Sequence, residues 1–167
     1  KFVGERYCEM FSKYYGLGTI CLRYFNVFGP KQNADSEYAA VIPKFIRAAS
    51  RKENPVIFGD GNQTRDFTYV KDIVKANILA ANSKVEDGVV LNIACNKSIS
   101  INELLKLINT ALGTQIEAKY ASPRQGDIKD SLADISRANA LIGFSPDYNL
   151  QSGIKETINW LKDQESA

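Results

Sequence analysis

Leu22-Arg23-Tyr24-Phe25-Asn26-Val27-Phe28-Gly29-Pro30 decides how the rest of the chain is read. With Thr19-Ile20-Cys21 ahead of it, the stretch is a run of strand formers and reads as a strand buried on both faces. Gly29-Pro30 is a strong local stop. Asn26 is the oddity in the run. A buried amide must find hydrogen-bond partners or cost free energy. In open α/β sheets, ligands sit at the carboxyl ends of strands. Asn26 therefore either satisfies a nearby loop backbone or faces a ligand.

Outward from this stretch, helices and strands alternate. Val3, Tyr7, Met10 or Phe11, and Tyr14 recur at helical spacing before Gly16 and Gly18. The chain opens on Lys1 and enters this helix at once, so we expect sequence to precede it. After a polar stretch over Lys31–Tyr38, a second helix is expected from about Ala40 to Lys52, with Val41, Ile42, Phe45, Ile46 and Ala49 on one side. Val56-Ile57-Phe58 reads as a short strand and Gly59-Asp60-Gly61-Asn62 as a turn. Thr64 to Val70 alternates polar and apolar, as a half-buried strand does. A helix follows over about Val70–Ser83, then a buried strand over Val89–Ala94. Ser100-Ile101-Asn102-Glu103 is a capping box in front of an apolar helix that Gly113 closes. Ile116–Tyr120 is expected as an edge strand, Ala121–Ser131 as a polar loop. Asp134 is expected to cap a short helix ending at Gly143. Ile154, Ile158 and Leu161 mark the last helix. This alternation argues for an α/β fold with a largely parallel sheet.

Composition bounds the function. The 167 residues are 44% apolar and 24% charged, as in a soluble globular domain. The net charge of +2 is scattered, with no basic run carrying interleaved aromatics, so no nucleic-acid partner is expected. The apolar runs are too short to span a bilayer, and no membrane association is expected. The first residues do not read as a signal peptide. Cys8, Cys21 and Cys95 are far apart in sequence, form no CxxC, and read as small core residues in a reducing, cytoplasmic setting. With no histidine and no cysteine pair, no metal site is expected. The absence of histidine also excludes a histidine general base.

Three polar groups invite a chemical reading: Asn26, Arg65 with Asp66, and Arg124 with Asp127. Arg65 follows a Gly-rich turn. Arg124 lies in a loop braced by Pro123 and Gly126. Two guanidiniums converging on one pocket suit a diphosphate, because Arg presents a planar fork that matches phosphate oxygens. Two ordinary Arg–Asp salt bridges would leave the same pattern.

Five motifs occur in a fixed order: Lys1-Phe2-Val3-Gly4-Glu5, Arg23–Pro30, Tyr38-Ala39-Ala40-Val41-Ile42-Pro43, Gly59–Phe67, and Pro123-Arg124-Gln125-Gly126-Asp127. Together they resemble the second half of an NAD-dependent nucleotide-sugar epimerase of the extended short-chain dehydrogenase/reductase family. The likeness is to UDP-glucose 4-epimerases and to relatives that accept N-acetylhexosamines, and it covers essentially the whole chain. It implies part of a doubly wound Rossmann-like parallel sheet plus a small mixed α/β substrate-binding lobe. Residues 1–30 and about 68–98 would belong to the NAD-binding domain, and about 31–67 and 99–167 to the nucleotide-sugar lobe. The family's first half, with its GxxGxxG phosphate loop, has no counterpart here. Lys1 matches the Lys of the family's Tyr-x-x-x-Lys, which places that Tyr ahead of this chain.

The resemblance implies these roles. Lys1 would be catalytic and would bond the nicotinamide ribose, its charge favouring the phenolate of the absent Tyr. Tyr24 and Phe25 would line the nicotinamide side of the NAD site. Asn26 would bond the diphosphate–sugar region, Ala40 and Val41 would line the nucleotide pocket, and Val56 and Phe58 would hold the uracil. Arg65 and Arg124 would grip the diphosphate and Asp127 a ribose hydroxyl. Ser131 would face the C2 side of the hexose, where a small residue leaves room for an acetamido group. Phe67 stands where some members carry Tyr. The implied reaction of the intact enzyme is inversion at C4 of a UDP-hexose through a 4-keto intermediate. The implied assembly is a homodimer through the N-terminal helix. A dehydratase or decarboxylase of the same family, or a non-catalytic nucleotide-sugar-binding module, remain the other readings.

Overall fold

A computed structural model describes residues 1–33, 41–85 and 88–165. The elements run α1 (Phe2–Tyr15), β1 (Ile20–Tyr24), β2 (Val27–Phe28), α2 (Val41–Ser50), β3 (Val56–Phe58), β4 (Thr64–Asp66), β5 (Thr68–Tyr69), α3 (Val70–Asn82), β6 (Val89–Ile93), β7 (Ser98–Ser100), α4 (Ile101–Leu112), β8 (Lys119–Ala121), α5 (Ser136–Ile142) and α6 (Leu150–Glu165). The expected α/β alternation is present. Among the described strands, pairing is in twos: β1 with β6, β2 with β5 and β3 with β8 are parallel, and β4 with β7 is antiparallel.

The opening stretch differs from its expected form in one respect. It is not a continuous strand, because Asn26 takes a positive φ of 36° and breaks it. Asparagine tolerates that conformation better than a branched residue would. Ahead of the break, Ile20–Tyr24 pairs with Val89–Ile93; beyond it, Val27–Phe28 pairs with Thr68–Tyr69. Nor is β1 buried on both faces: Ile20 to Leu22 are half-buried, while Arg23 and Tyr24 are exposed. The Thr64–Val70 run likewise splits, into β4 and β5. Asp66 through Tyr69 are all buried, so the alternation does not mark a solvent face.

Among the described residues, two apolar clusters form the core. One gathers Phe28, Ile42, Phe45, Ile46, Ile57, Tyr69, Leu104, Ile108, Ile154 and Ile158, so that α2, α4 and α6 pack on β2, β3 and β5. The other gathers Ile73, Ala76, Leu91, Ile93, Ala138, Ile142 and Phe144, with α3 and α5 against β6. Gly153 lets α6 lie against the first cluster. A Cβ there would sit 2.7 Å from Phe28 Cζ and 2.9 Å from Tyr69 Cδ2, closer than packed carbons come. The capping box of α4 forms as expected: Ser100 Oγ accepts from Glu103 N, and Glu103 Oε2 accepts from Ser100 N. Helix α5 begins one residue later than expected: Ile135 is its N-cap, and Asp134, just ahead, accepts from Ser136 N at 2.8 Å.

Buried carboxylates tie distant segments together. Asp66, fully buried, accepts from Cys95 N at 3.0 Å and Ala133 N at 3.3 Å. Asp72, on α3, accepts from Asp147 N at 2.8 Å and Tyr148 N at 3.3 Å. Burial pushes both carboxyls above the ordinary range, against the opposing pull of those amides.

Candidate nucleotide-sugar site

The break at Asn26 is what opens the site. Where the chain changes sheet partner, the Asn26 amide donates to Asp66 O at 2.9 Å, and Asn26 O accepts from Thr68 N at 3.3 Å. Asn26 thus satisfies a loop backbone and at the same time stands at the rim of a cleft of about 250 Å³. That cleft brings together Asn26, Val41, Val56, Phe58, Arg65 and Arg124. These residues come from β1–β2, α2, β3, β4 and the loop after β8, so no local pattern could have joined them.

The lining combines apolar surface with two guanidiniums. Val56 on β3 is 49% exposed toward solvent, and Phe58 two residues on carries the Arg124 guanidinium over its ring, with Cζ 3.9 Å from the centroid. This is a stacked cation–π contact. A second opening of about 450 Å³ shares Val41, Phe45, Val56, Phe58 and Arg124 and extends the groove past Pro55. Arg65 is held more firmly. Its Nη2 donates to Asp127 Oδ1 at 2.5 Å and its Nη1 to Thr64 O at 2.7 Å. Its side chain is only 16% exposed, against 39% for Asp127. The Arg65–Asp127 pair is therefore an ion pair of the kind the sequence left open, placed at the edge of a cleft. Asp127 reaches the site through Arg65 and does not itself line the cleft.

The other expected site residues lie elsewhere. Lys1 is exposed at the N-cap of α1. The Tyr24 hydroxyl donates to Asn77 Oδ1 on α3 at 2.9 Å, and Phe25 is half-buried with its N–H on Ile93 O. Ser131 is half-buried next to Asp130, whose carboxylate accepts from Thr64 Oγ1 at 3.0 Å, and it does not line the cleft. Ala40 lies outside the described residues.

Phe67, noted for standing where some members carry Tyr, lines the cleft, and so do Phe45, Ile57, Gln63 and Ile101, which were not singled out as site residues. Gln63 carried the detectable signal, since it stands inside the Gly59–Phe67 motif. Its Nε2 donates to Phe58 O at 2.7 Å and so fixes the strand that presents the Phe58 ring. Phe45, Ile57 and Ile101 could not be told from ordinary core by pattern, because a pocket wall and a core have the same composition.

Residues 1–94 match the family model of the NAD-dependent epimerase/dehydratase family. The chain belongs to that family. It is 50% identical, with a TM-score of 0.91 over 96% of its length, to a UDP-N-acetylglucosamine 4-epimerase from Methanobrevibacter ruminantium solved with UDP-N-acetylmuramic acid, of which it covers 51%. It is 37% identical, with a TM-score of 0.93 over 99% of its length, to the UDP-glucose 4-epimerase of Thermotoga maritima solved with UDP-glucose, of which it covers 52%. It is also 34% identical over 90% of its length to 48% of a UDP-N-acetyl-alpha-D-glucosaminuronate decarboxylase from Bacillus cytotoxicus. The chain thus spans about half the length of the curated relatives it matches. The family is NAD-dependent, and several of its solved members hold NAD.

Proposed function

We propose that this chain supplies the nucleotide-sugar-binding half of an NAD-dependent UDP-hexose 4-epimerase. Residues 1–30 and about 68–98 would belong to its cofactor domain, and about 31–67 and 99–167 to its substrate lobe. The observation that carries the proposal is the cleft itself. An apolar, aromatic-bearing groove ends at two guanidiniums, the arrangement a nucleoside diphosphate requires. In this reading Val56 and Phe58 take the uracil, Val41 and Ala40 the nucleotide, and Arg65, Arg124 and Asn26 the diphosphate. Asp127 takes a ribose hydroxyl while orienting Arg65. Holding UDP tightly far from C4 leaves the sugar free to turn between the two hydride transfers. NAD supplies the hydride chemistry when bound. Exposed Lys1, with Tyr24 and Phe25 at the carboxyl end of β1, fits the edge of a nicotinamide site and would orient the cofactor there.

The family also holds decarboxylases acting on related nucleotide sugars, which favours a decarboxylase as the second reading. Assay of the full-length protein with NAD distinguishes them: interconversion of UDP-glucose and UDP-galactose without loss of carbon dioxide is expected. The 167-residue chain by itself is expected to give no turnover above blank. Turnover by the chain alone would show that the base is not the Tyr placed ahead of Lys1.

Ser131 is proposed as the residue that admits an N-acetylated hexose, acting from beside the site. A tyrosine ring fills the volume an acetamido group needs, and overpacking costs about 1–3 kcal/mol. In the full-length enzyme, Ser131→Tyr is expected to lower kcat/KM for UDP-N-acetylglucosamine by about tenfold or more, while sparing UDP-glucose. Equal kcat/KM for the N-acetylated sugar in both proteins would remove Ser131 from the pocket.

The proposed assembly is a homodimer through α1, in a cytoplasmic setting. Helix α1 has no buried residue, and Phe2, Val3, Tyr7, Phe11 and Tyr14 are each 49–67% exposed. Its opposite, polar side is the one that meets β1, through Glu5 and Arg23. An apolar face of this extent suits a partner surface. Light scattering at micromolar concentration is expected to give twice the monomer mass, and a clean monomer would count against the interface.

A further inference from the structure

Two cysteines thirteen positions apart in sequence sit on elements that pack together, Cys8 on α1 and Cys21 on β1. Helix α1 lies on β1 in a fixed register. Glu5 forms a two-pronged bond with Arg23, both contacts at 2.6 Å, and Thr19 Oγ1 donates to Cys8 O at 3.0 Å. Farther along, the α1 backbone at Glu9 crowds Gly88, where a Cβ would come within 2.6 Å of Glu9 Cα. Glu5 and Cys8 are three apart and so share a helix face. Thr19, Cys21 and Arg23 are two apart and share a strand face. Moving up the helix from Glu5 to Cys8 therefore means moving down the strand from Arg23 to Cys21.

We propose that Cys8 and Cys21 are a redox-active dithiol that closes to a reversible disulfide stapling α1 to β1. Both cysteines are free and half-buried. The Cys21 thiol is pushed up to about 11, by burial first and then by the Cys8 thiol beside it, which agrees with the register. The oxidant is a small disulfide such as oxidised glutathione. Cys8 attacks it, losing its thiol proton, to give a mixed disulfide and one free glutathione, while Cys21, held as the thiol by its raised pKa, is the resolving partner. The Cys21 sulfur, losing its proton in turn, displaces the other glutathione, so two S–H bonds are lost, one S–S bond forms, and the oxidant's S–S bond is reduced to two thiols. Cys95 is the internal control. It is also pushed up to about 11, by burial, but no second cysteine is among the groups acting on it.

The test uses the full-length protein incubated with oxidised glutathione, followed by alkylation, digestion and mass spectrometry. The expected result is loss of both Cys8 and Cys21 to alkylation, a linked Cys8–Cys21 peptide lighter by two hydrogens, and full recovery with dithiothreitol. In Cys21→Ser the linked peptide disappears and Cys8 is found free or glutathionylated. If wild-type Cys8 and Cys21 stay alkylatable, carry separate glutathiones, or link to other cysteines, the dithiol assignment is overturned.

Discussion

Asp66→Ala is expected to lose about 3–5 kcal/mol of folding free energy, a large share of what a domain of this size has. The carboxylate is fully buried and accepts the amides of Cys95 and Ala133, while its own carbonyl accepts the Asn26 amide. Alanine leaves the buried Ala133 N–H and the part-buried Cys95 N–H without acceptors, and each orphaned donor costs about 1–3 kcal/mol. Its chain neighbours Arg65 and Phe67 line the cleft, so UDP binding should weaken along with stability. Asp66→Asn keeps the shape and one acceptor oxygen, and should lose less. Linkage adds a sign. The folded carboxyl is raised above 3.8, so its contribution is fully present below that value and declines as pH rises through the folded pKa. The gap between wild type and Asp66→Asn should therefore move in favour of the neutral variant as pH rises past 3.8. Urea unfolding across that range measures both effects, and a loss below about 1 kcal/mol for Asp66→Ala would remove Asp66 as a clamp.

Arg65→Ala and Arg124→Ala, made in the full-length protein, are each expected to weaken UDP binding by about 1.5–3 kcal/mol, the range for a hydrogen bond to a charged group. The two should differ in kind. Arg65 is anchored by Asp127 and Thr64 O, so its charge is already placed and little ordering is required on binding. Arg124 sits in an exposed loop and is positioned by Phe58, so Phe58→Ala should reproduce part of the Arg124→Ala loss. Arg137 provides the control. Its Nη1 reaches Val90 O at 3.4 Å, away from the cleft, and Arg137→Ala should leave UDP binding within about 0.5 kcal/mol. Equal losses at all three arginines, measured by titration calorimetry, would mean a diffuse charge effect and no defined diphosphate site.

Much of the fold could be read directly. Each expected helix in the described residues is present, because capping and apolar spacing are local signals: the Ser100–Glu103 box and Gly113 bracket α4, and Gly16 closes α1. Strands were less legible. A strand's limits depend on its partners, and those partners lie far away in sequence: Ile20 pairs with Val89 and Val27 with Thr68. The Asn26 break is visible in the sequence as an odd residue, yet nothing local says that the backbone there turns to a positive φ and changes partner.

The sequence by itself determined the α/β alternation, the family and the residue types at the cleft, since these rest on local periodicity and on short motifs held in order. Only the tertiary structure decided that Asn26, Val56, Phe58, Arg65 and Arg124 share one cleft, that Asp127 serves Arg65, and that Ser131 stands to the side. It alone decided that α1 lies on β1 in the register that sets Cys8 across from the Thr19–Cys21 face, and that Asp66, next to an arginine in sequence, spends its carboxylate on backbone amides. The physical reason is common to all of these. A side chain's partner is set by which backbones the core brings within about 3 Å, and that depends on packing between segments tens of residues apart.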